Sequence, residues 1–237
     1  MYSVAIRAVL FDVGGPLDTE VLSEGIIDRH ILEALGHAGV AVTPGEVTAA
    51  SHRAVARFAA NAYSAMCWDL AGGDLERATL AFAEVAARSE ERRTESGGFE
   101  LREGASEMLE WLIGNGLLLG LAANQPVSII AELDRLGLGQ FFSHREVSGH
   151  HRYRKPDVRL LLRACENLGV APQECIMVGD RIDNDIVPAR LLGMGAVLLR
   201  TGRHRAQEAR SWEELPHLEA FDTAGMGKAI MALVARL

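Results

Sequence analysis

Acidic side chains follow apolar runs at two places in the sequence. Asp12 ends the apolar run of residues 4–11, and Asp180 follows the run of residues 175–178, with Asp185 five residues later. Short apolar runs that stop at Gly, Pro or polar residues are typical of buried strands. The carboxyl ends of parallel strands meet at one edge of a sheet, so we expect these carboxylates to lie together.

Such a cluster of carboxylates repels itself unless cations are present. Oxygen ligands suit Mg²⁺, which needs only one or two carboxylates and keeps several waters. A lysine is also expected there, and the chain has only two lysines among its 24 basic residues. Lys155 precedes Pro156 and Asp157 in the same half of the chain, and Asn124 ends another apolar run. The sequence therefore predicts a magnesium site with Lys155 and Asn124 beside it.

The elements that position these residues alternate between strand and helix from Gly98 onward. A strand at residues 4–11 and this later alternation predict an α/β fold, a doubly wound parallel sheet covered by helices on both faces. Only helical turns are expected after residue 199. The later strands are predicted at residues 117–123, 141–147, 175–178 and 196–199, and the helices at residues 103–115, 126–136, 156–168 and 183–192.

Residues 21–97 have a different pattern, with helical spacing and no strand signal. Helices are predicted at residues 23–35, 43–70 (with a break) and 74–93. Glycine-rich segments precede and follow this region. We therefore expect a discontinuous α/β core, residues 1–20 and 98–237, and an inserted helical cap, residues 21–97. Ser23, Thr43 and Asp183 are predicted helix N-caps. Met66, Cys67 and Trp68 are predicted core residues of the insert, with a position facing the substrate as the alternative for Trp68.

Composition excludes several functional classes. The net charge is −8 and no long basic stripe occurs, so nucleic acid is not an expected partner. No stretch of eighteen apolar residues exists, and the N-terminal apolar run is too short for a signal peptide, so we expect a cytoplasmic protein without a membrane span. Three cysteines without CxxC spacing predict neither a disulfide framework nor a zinc site. The expected partner is a small-molecule substrate, with a monomer or homodimer left open.

With these residues in place, the chain resembles the haloacid dehalogenase superfamily, in the subgroup with a helical cap inserted after the first strand. The resemblance covers essentially the whole chain and is most specific in its later half. It is carried by Asp12, Asn124, Lys155-Pro156, Gly179-Asp180-Arg181-Ile182-Asp183-Asn184-Asp185 and Gly193-Met194-Gly195.

The resemblance implies a role for each matching residue. Asp12 is the expected nucleophile of an aspartyl-enzyme mechanism, which splits hydrolysis into two easier steps. Lys155 steadies the charge of the nucleophile and of the phosphoryl group, which Asn124 and Gly15 also contact. The implied ligands of Mg²⁺ are Asp12, Asp180, Asp185 and the backbone carbonyl of Gly14, with Asp185 supporting either the metal or the lysine.

Three positions depart from the family pattern. Gly14 stands where the phosphatases usually carry an acid–base Asp, Pro16 replaces a Thr, and Ala123 replaces a Ser or Thr. Loss of proton delivery is worth roughly 10²–10⁴-fold in rate. The leading interpretation is a phosphatase on a small phosphorylated metabolite with a good leaving group. The alternatives are a hydrolase of carbon–halogen bonds, which needs no proton for a halide, and a weak enzyme that binds a phosphorylated ligand or a protein partner. A phosphonate hydrolase with a cap lysine is excluded because residues 21–97 contain no lysine.

Residues 144–155 are rich in histidine and arginine. This segment contains His144, His150 and His151 with three arginines and Lys155. It has the composition to bind an anion or a metal, but nothing in the spacing fixes the histidines as ligands. The favoured interpretation is a solvated loop.

Overall fold

The computed structural model describes residues 5–236 and divides into two compact units. The sheet unit comprises the residues up to Thr19, Leu101–Thr201 and the residues from Glu208 onward. The helical unit comprises Glu20–Glu100 together with Gly202–Gln207. The assignment of the two units as a catalytic core and a cap stays a prediction.

Parallel pairing throughout the sheet confirms the predicted doubly wound α/β class. Within the described residues the sheet has six strands in the order β3-β2-β1-β4-β5-β6, and every neighbouring pair is parallel. The strands are β1 (Ala8–Phe11), β2 (Leu118–Ala123), β3 (His144–Val147), β4 (Cys175–Gly179), β5 (Gly195–Leu199) and β6 (Leu218–Ala220). The predicted first strand included Val4, which lies outside the described residues.

Burial explains why the central strands read as continuous apolar runs. Every residue of β1, β4 and β5 is buried, as expected for a parallel sheet covered on both faces. Edge strand β6 escaped prediction, because it has three residues of which only Ala220 is buried. The prediction of helical turns alone after residue 199 was therefore wrong.

All regular elements of Glu20–Glu100 are helices. They are α1 (Val21–His37), α2 (Pro44–Ala56), α3 (Ala62–Leu70), α4 (Leu75–Ala87) and α5 (Ser89–Glu95). The Thr43 side chain forms the predicted cap of α2 in a reciprocal capping box with Glu46. Ser23 is not a cap, since α1 already begins at Val21. Met66 and Cys67 are buried as predicted. Trp68, the next residue of α3, is 45% exposed because its side chain leaves the helix on a face that points away from the core.

The sheet unit also contains helices, of which the last follows β6. They are α6 (Ala105–Gly114), α7 (Ser128–Arg135), α8 (Val158–Leu168), α9 (Val187–Leu191) and α10 (Thr223–Val234). A π-helical turn, Ile182–Ile186, precedes α9. Asp183 lies inside this turn and pairs with Arg181 instead of capping a helix, so that prediction was wrong. None of the helices in the described part of the chain is both long and apolar enough to cross a membrane.

Candidate active site

The strand order brings three predicted site residues to one edge of the sheet. Phe11 of β1 is in register with Leu121 of β2 on one side and Val178 of β4 on the other. Asp12, Asn124 and Asp180 follow those positions by one, three and two residues. The strand order changes direction beside β1, and in open α/β sheets ligands bind beyond the carboxyl ends of the strands at such a point.

Lys155 lies between two carboxylates and is completely shielded from solvent. Its Nζ is 2.9 Å from Oδ2 of Asp12 and 2.6 Å from Oδ1 of Asp185. Burial alone would lower the pKa of Lys155, but these two carboxylates raise it above its ordinary value. The lysine therefore supplies a positive charge beside both carboxylates.

Both carboxylate oxygens of Asp185 are engaged by the protein. Oδ1 accepts a hydrogen bond from Lys155, and Oδ2 accepts one of 3.0 Å from the backbone N–H of Arg181. Burial raises the pKa of Asp185 to about 6, although the charge of Lys155 opposes this rise. Of the two roles that the resemblance allows, the contacts of Asp185 match support of the lysine; its role as a metal ligand stays a prediction.

The Asn124 amide holds the backbone of Lys155. Its Oδ1 accepts from the Lys155 N–H at 2.7 Å, and its Nδ2 donates to the Lys155 carbonyl at 2.8 Å. Asn124 is therefore at the site as predicted, and one of its two amide N–H groups is already used. Its part in phosphate binding stays a prediction, whereas its contact with Lys155 was not predicted.

A tight turn follows Asp12. The Val13 N–H donates to Oδ1 of Asp12 at 2.8 Å, so this oxygen is fixed while Oδ2 faces Lys155. The Val13 carbonyl accepts from the N–H groups of Leu17 and Asp18, and the Gly15 N–H donates to the Asp18 carbonyl. None of these turn hydrogen bonds uses the carbonyl of Gly14, which is the predicted backbone ligand.

Three carboxylates lie close enough to share one cation. Single ligand atoms of Asp12, Asp180 and Asp185 all lie within 4.8 Å of one another. Hard oxygen donors at this spacing fit Mg²⁺ rather than a metal that prefers sulfur or imidazole. The donor set of the site therefore fits the predicted cofactor.

Arg102 is a member of this site that the sequence analysis missed. Its Nε donates to the Gly15 carbonyl at 2.6 Å, and its Nη2 donates to Oγ1 of Thr201 at 2.9 Å. Burial lowers the pKa of Arg102, partly offset by the negative charges of Asp180 and Asp18. No motif or spacing marked this arginine, because its contacts join segments that are distant in sequence.

The segment 144–155 is only in part the solvated loop that its composition favoured, because its first residues belong to the strand predicted at residues 141–147. Residues 144–147 form β3, and Glu146 is buried against two of the histidines. The Glu146 carboxylate lies between the imidazoles of His144 and His151. The spacing of these residues along the chain does not predict these contacts.

An α/β sheet with a lysine-linked aspartate pair after β1 and β4 defines the class of the protein. A profile of the haloacid dehalogenase-like hydrolase family matches residues 6–193. The chain therefore belongs to the haloacid dehalogenase-like hydrolases.

A curated relative is similar to part of the chain. The chain is 36% identical over 100 residues to glyceraldehyde 3-phosphate phosphatase of Methanopyrus kandleri, a match that covers 42% of this chain and 41% of that protein. The chain thus spans less than half the length of this curated relative.

Solved structures share the fold over nearly the whole chain. A predicted phosphoglycolate phosphatase from Haemophilus somnus superposes with a TM-score of 0.70 at 20% identity, covering 95% of this chain and 98% of that one. A 2-haloacid dehalogenase from Pseudomonas syringae superposes with a TM-score of 0.59 at 18% identity, covering 96% and 99%. At these identities the likeness shows the fold alone, so the reaction has to be argued from the site.

Proposed function

We propose that this protein is a Mg²⁺-dependent phosphatase that acts through an aspartyl-enzyme intermediate on a small phosphorylated molecule with a good leaving group. The observation that carries the proposal is the buried ammonium of Lys155, within 2.9 Å of the Asp12 carboxylate in a site that also holds Asp180. A phosphate dianion approaches a carboxylate only where cations offset the repulsion, and this arrangement supplies one fixed cation at the attacking group.

Asp12 is the proposed nucleophile. A carboxylate oxygen of Asp12 forms a bond to phosphorus while the bond from phosphorus to the leaving-group oxygen breaks, and water then hydrolyses the acyl phosphate. The backbone N–H of Val13 orients the carboxylate by its hydrogen bond to Oδ1. Lys155, held by Asp185 and Asn124, stays beside the reacting carboxylate, while Asn124 and Gly15 are the proposed contacts of the transferring group.

The residues that would hold Mg²⁺ are Asp12, Asp180 and the carbonyl of Gly14, with Asp185 as a further predicted ligand. When bound, the ion supplies positive charge that offsets the phosphate dianion. Lys155 alone would leave the negative charge of the three carboxylates in excess. The donor set supports this assignment, since three oxygen-bearing side chains meet within 4.8 Å.

Gly14 limits the proposed substrates. Because position 14 carries no side chain, it cannot donate a proton to a departing alkoxide. Groups that leave readily as anions, such as phenolates, need no such donor, which favours them over alkyl phosphates. We further propose that the helical unit acts as the cap that selects the substrate. The cytoplasmic location and the monomeric or dimeric state stay predictions.

The second candidate is hydrolysis of a carbon–halogen bond. Gly14 favours it, because a halide leaves without a proton, and the fold is shared with a solved haloacid dehalogenase. The carboxylate cluster of Asp12, Asp180 and Asp185 favours the phosphatase, because a cation is needed for a phosphate dianion. The third candidate, a weak enzyme that binds a phosphorylated ligand, rests on the departures at positions 14, 16 and 123.

Turnover of p-nitrophenyl phosphate with Mg²⁺ and with EDTA tests the proposal. We expect turnover with Mg²⁺, none with EDTA, and none by Asp12→Asn, because an amide is a poor nucleophile. Asp134→Asn, which changes an aspartate on α7, is the matched control and should remain active. Halide release from haloacids without added metal would support the dehalogenase instead. Thermal stabilisation by phosphorylated ligands without turnover of either substrate would support the binding protein.

A further inference from the structure

Glu146 of β3 organises the segment that leads to Lys155. Its side chain is 3% exposed, and its carboxylate lies 3.0 Å from Nε2 of His144, 2.5 Å from Nε2 of His151 and 3.5 Å from Nε of Arg163. Burial alone would raise the pKa of Glu146, but hydrogen bonds from the two histidines and the charge of Arg163 hold it below its ordinary value. The result is a buried, ionised carboxylate with two imidazoles and a guanidinium around it.

The contacts of His151 define its tautomer. Its Nδ1 lies 3.0 Å from the backbone nitrogen of Tyr153, which is a donor, so Nδ1 must carry the lone pair. The proton is then on Nε2, where it is donated to Glu146. A carboxylate that accepts from one ring nitrogen fixes which nitrogen accepts on the other side, as it does for histidines that bind metals.

These contacts continue directly to Lys155. Tyr153, whose N–H is bound by His151, is two residues before Lys155, and its ring lies under the Arg159 guanidinium at 4.1 Å. At the other end, Asn124 holds the Lys155 backbone in two hydrogen bonds. The chain from His151 to Lys155 is therefore fixed at both ends, and the Lys155 ammonium is placed between its two carboxylates.

The histidines do not form a metal site. Among the described residues, the three aspartates of the candidate active site are the one group whose ligand atoms lie close enough together to hold an ion. Glu146 instead lies between two imidazoles: its Oε2 contacts His144 and its Oε1 contacts His151. Its contacts point toward the Lys155 segment and toward no ligand.

We propose that Glu146 and His151 are positioning residues that set the place of the Lys155 ammonium beside Asp12. The proposal rests on the proposed function for its kinetic consequence, but the position of Lys155 can be measured without any turnover. Removal of either residue frees the Tyr153 N–H end of the segment and lets Lys155 leave its carboxylates. A displacement of about 1 Å at a reacting group costs on the order of 10²-fold in rate.

The two lysines make the position of Lys155 measurable by reductive methylation and mass spectrometry. Lys155 is buried and ion-paired, whereas Lys228 is exposed and serves as an internal reference. In His151→Gln and Glu146→Leu we expect the ratio of Lys155 to Lys228 modification to rise at least about tenfold, with kcat for p-nitrophenyl phosphate falling about tenfold or more. Glu146→Gln should keep the lysine modification ratio and kcat near their wild-type values, because its amide oxygen still accepts a hydrogen bond from His151. His150→Gln, the same substitution at the exposed neighbour, should change neither quantity.

Urea unfolding of each variant identifies any variant that loses its fold. If Glu146→Leu is unfolded, the test of the proposal rests on His151→Gln and Glu146→Gln. Equal lysine modification in His151→Gln and His150→Gln would overturn the proposal, as would a Glu146→Gln variant as damaged as Glu146→Leu. A wild-type protein that turns over no phosphate, while His151→Gln still exposes Lys155, would overturn the proposed function and leave the positioning role supported.

Discussion

A Cβ atom on Gly15 would lie 2.6 Å from the Cβ of Asp180 and 2.9 Å from its Cγ. The turn after β1 and the acidic segment after β4 thus touch with no room for a side chain between them. Gly15 also has a φ of +81°, a conformation that other residues adopt only with strain. Glycine is therefore required at position 15 for two reasons: the positive φ of the backbone and the close approach of Asp180.

Gly15→Ala should displace Asp180 and weaken the proposed metal site. We expect Mg²⁺ affinity, measured by calorimetry, to fall at least about tenfold, which corresponds to roughly 1.4 kcal/mol. Gly39→Ala is the matched control, because Gly39 has a φ of +77° but open space around its missing Cβ. An alanine at this positive φ introduces backbone strain, which should lower the unfolding free energy by roughly 1–2 kcal/mol. The Mg²⁺ affinity of Gly39→Ala should stay unchanged. Equal affinity in both variants would show that the contact with Asp180 does not matter.

Gly14 should make the rate depend on the leaving group. Aryl phosphates, whose phenolates leave without a proton, should be hydrolysed faster than alkyl phosphates by a substantial part of the roughly 10²–10⁴-fold that acid catalysis contributes. Gly14→Asp should raise alkyl-phosphate turnover if the carboxylate fits beside Pro16, which restricts the backbone. Steady-state kinetics on matched aryl and alkyl substrates measure this. Equal rates in the wild type would mean that another group supplies the proton.

Lys155→Met should destabilise the protein even without any metal. The substitution leaves the buried Asp185 carboxylate without its ammonium partner, and removal of one partner of a buried ion pair costs about 3–5 kcal/mol. The double variant Lys155→Met/Asp185→Asn should recover part of that loss, because the fully buried charge at position 185 is gone and only the partly exposed Asp12 is left without the ammonium. Urea unfolding in EDTA measures both. A double variant less stable than the single one would refute this account.

His30 should make the protein less stable in mild acid. It is fully buried on α1, neither ring nitrogen has a hydrogen-bond partner among the described residues, and burial followed by the charge of Arg88 lowers its pKa. The unfolded chain therefore binds a proton near pH 6.5 that the folded chain does not. The unfolding free energy falls as the pH drops below 6.5, by up to about 1.4 kcal/mol for each unit of pKa difference.

His30→Leu should remove this loss. Denaturant unfolding between pH 8 and pH 5 should show a smaller decrease for His30→Leu than for the wild type, whereas His52→Leu, at an exposed histidine of α2, should follow the wild type. A wild-type decrease that His30→Leu leaves unchanged would assign the acid sensitivity to other groups.

The sequence by itself determined which strand ends carry the residues of the candidate site. Asp12, Asn124 and Asp180 each follow an apolar run, and in a parallel sheet every such position lies at the same edge, so local pattern is sufficient. The capping of α2 by Thr43 was also predictable, because it uses residues three apart.

Only the tertiary structure decided the contacts between those strand ends. Three contacts depend on side-chain direction and burial. They are those of Lys155 with Asp12 and Asp185, of Arg102 with Gly15, and of His151 with Glu146. The exposure of Trp68 has the same origin, since an apolar residue at one helix position faces the core or the solvent according to packing. Such contacts are set by the three-dimensional environment, which residue type and spacing along the chain do not specify.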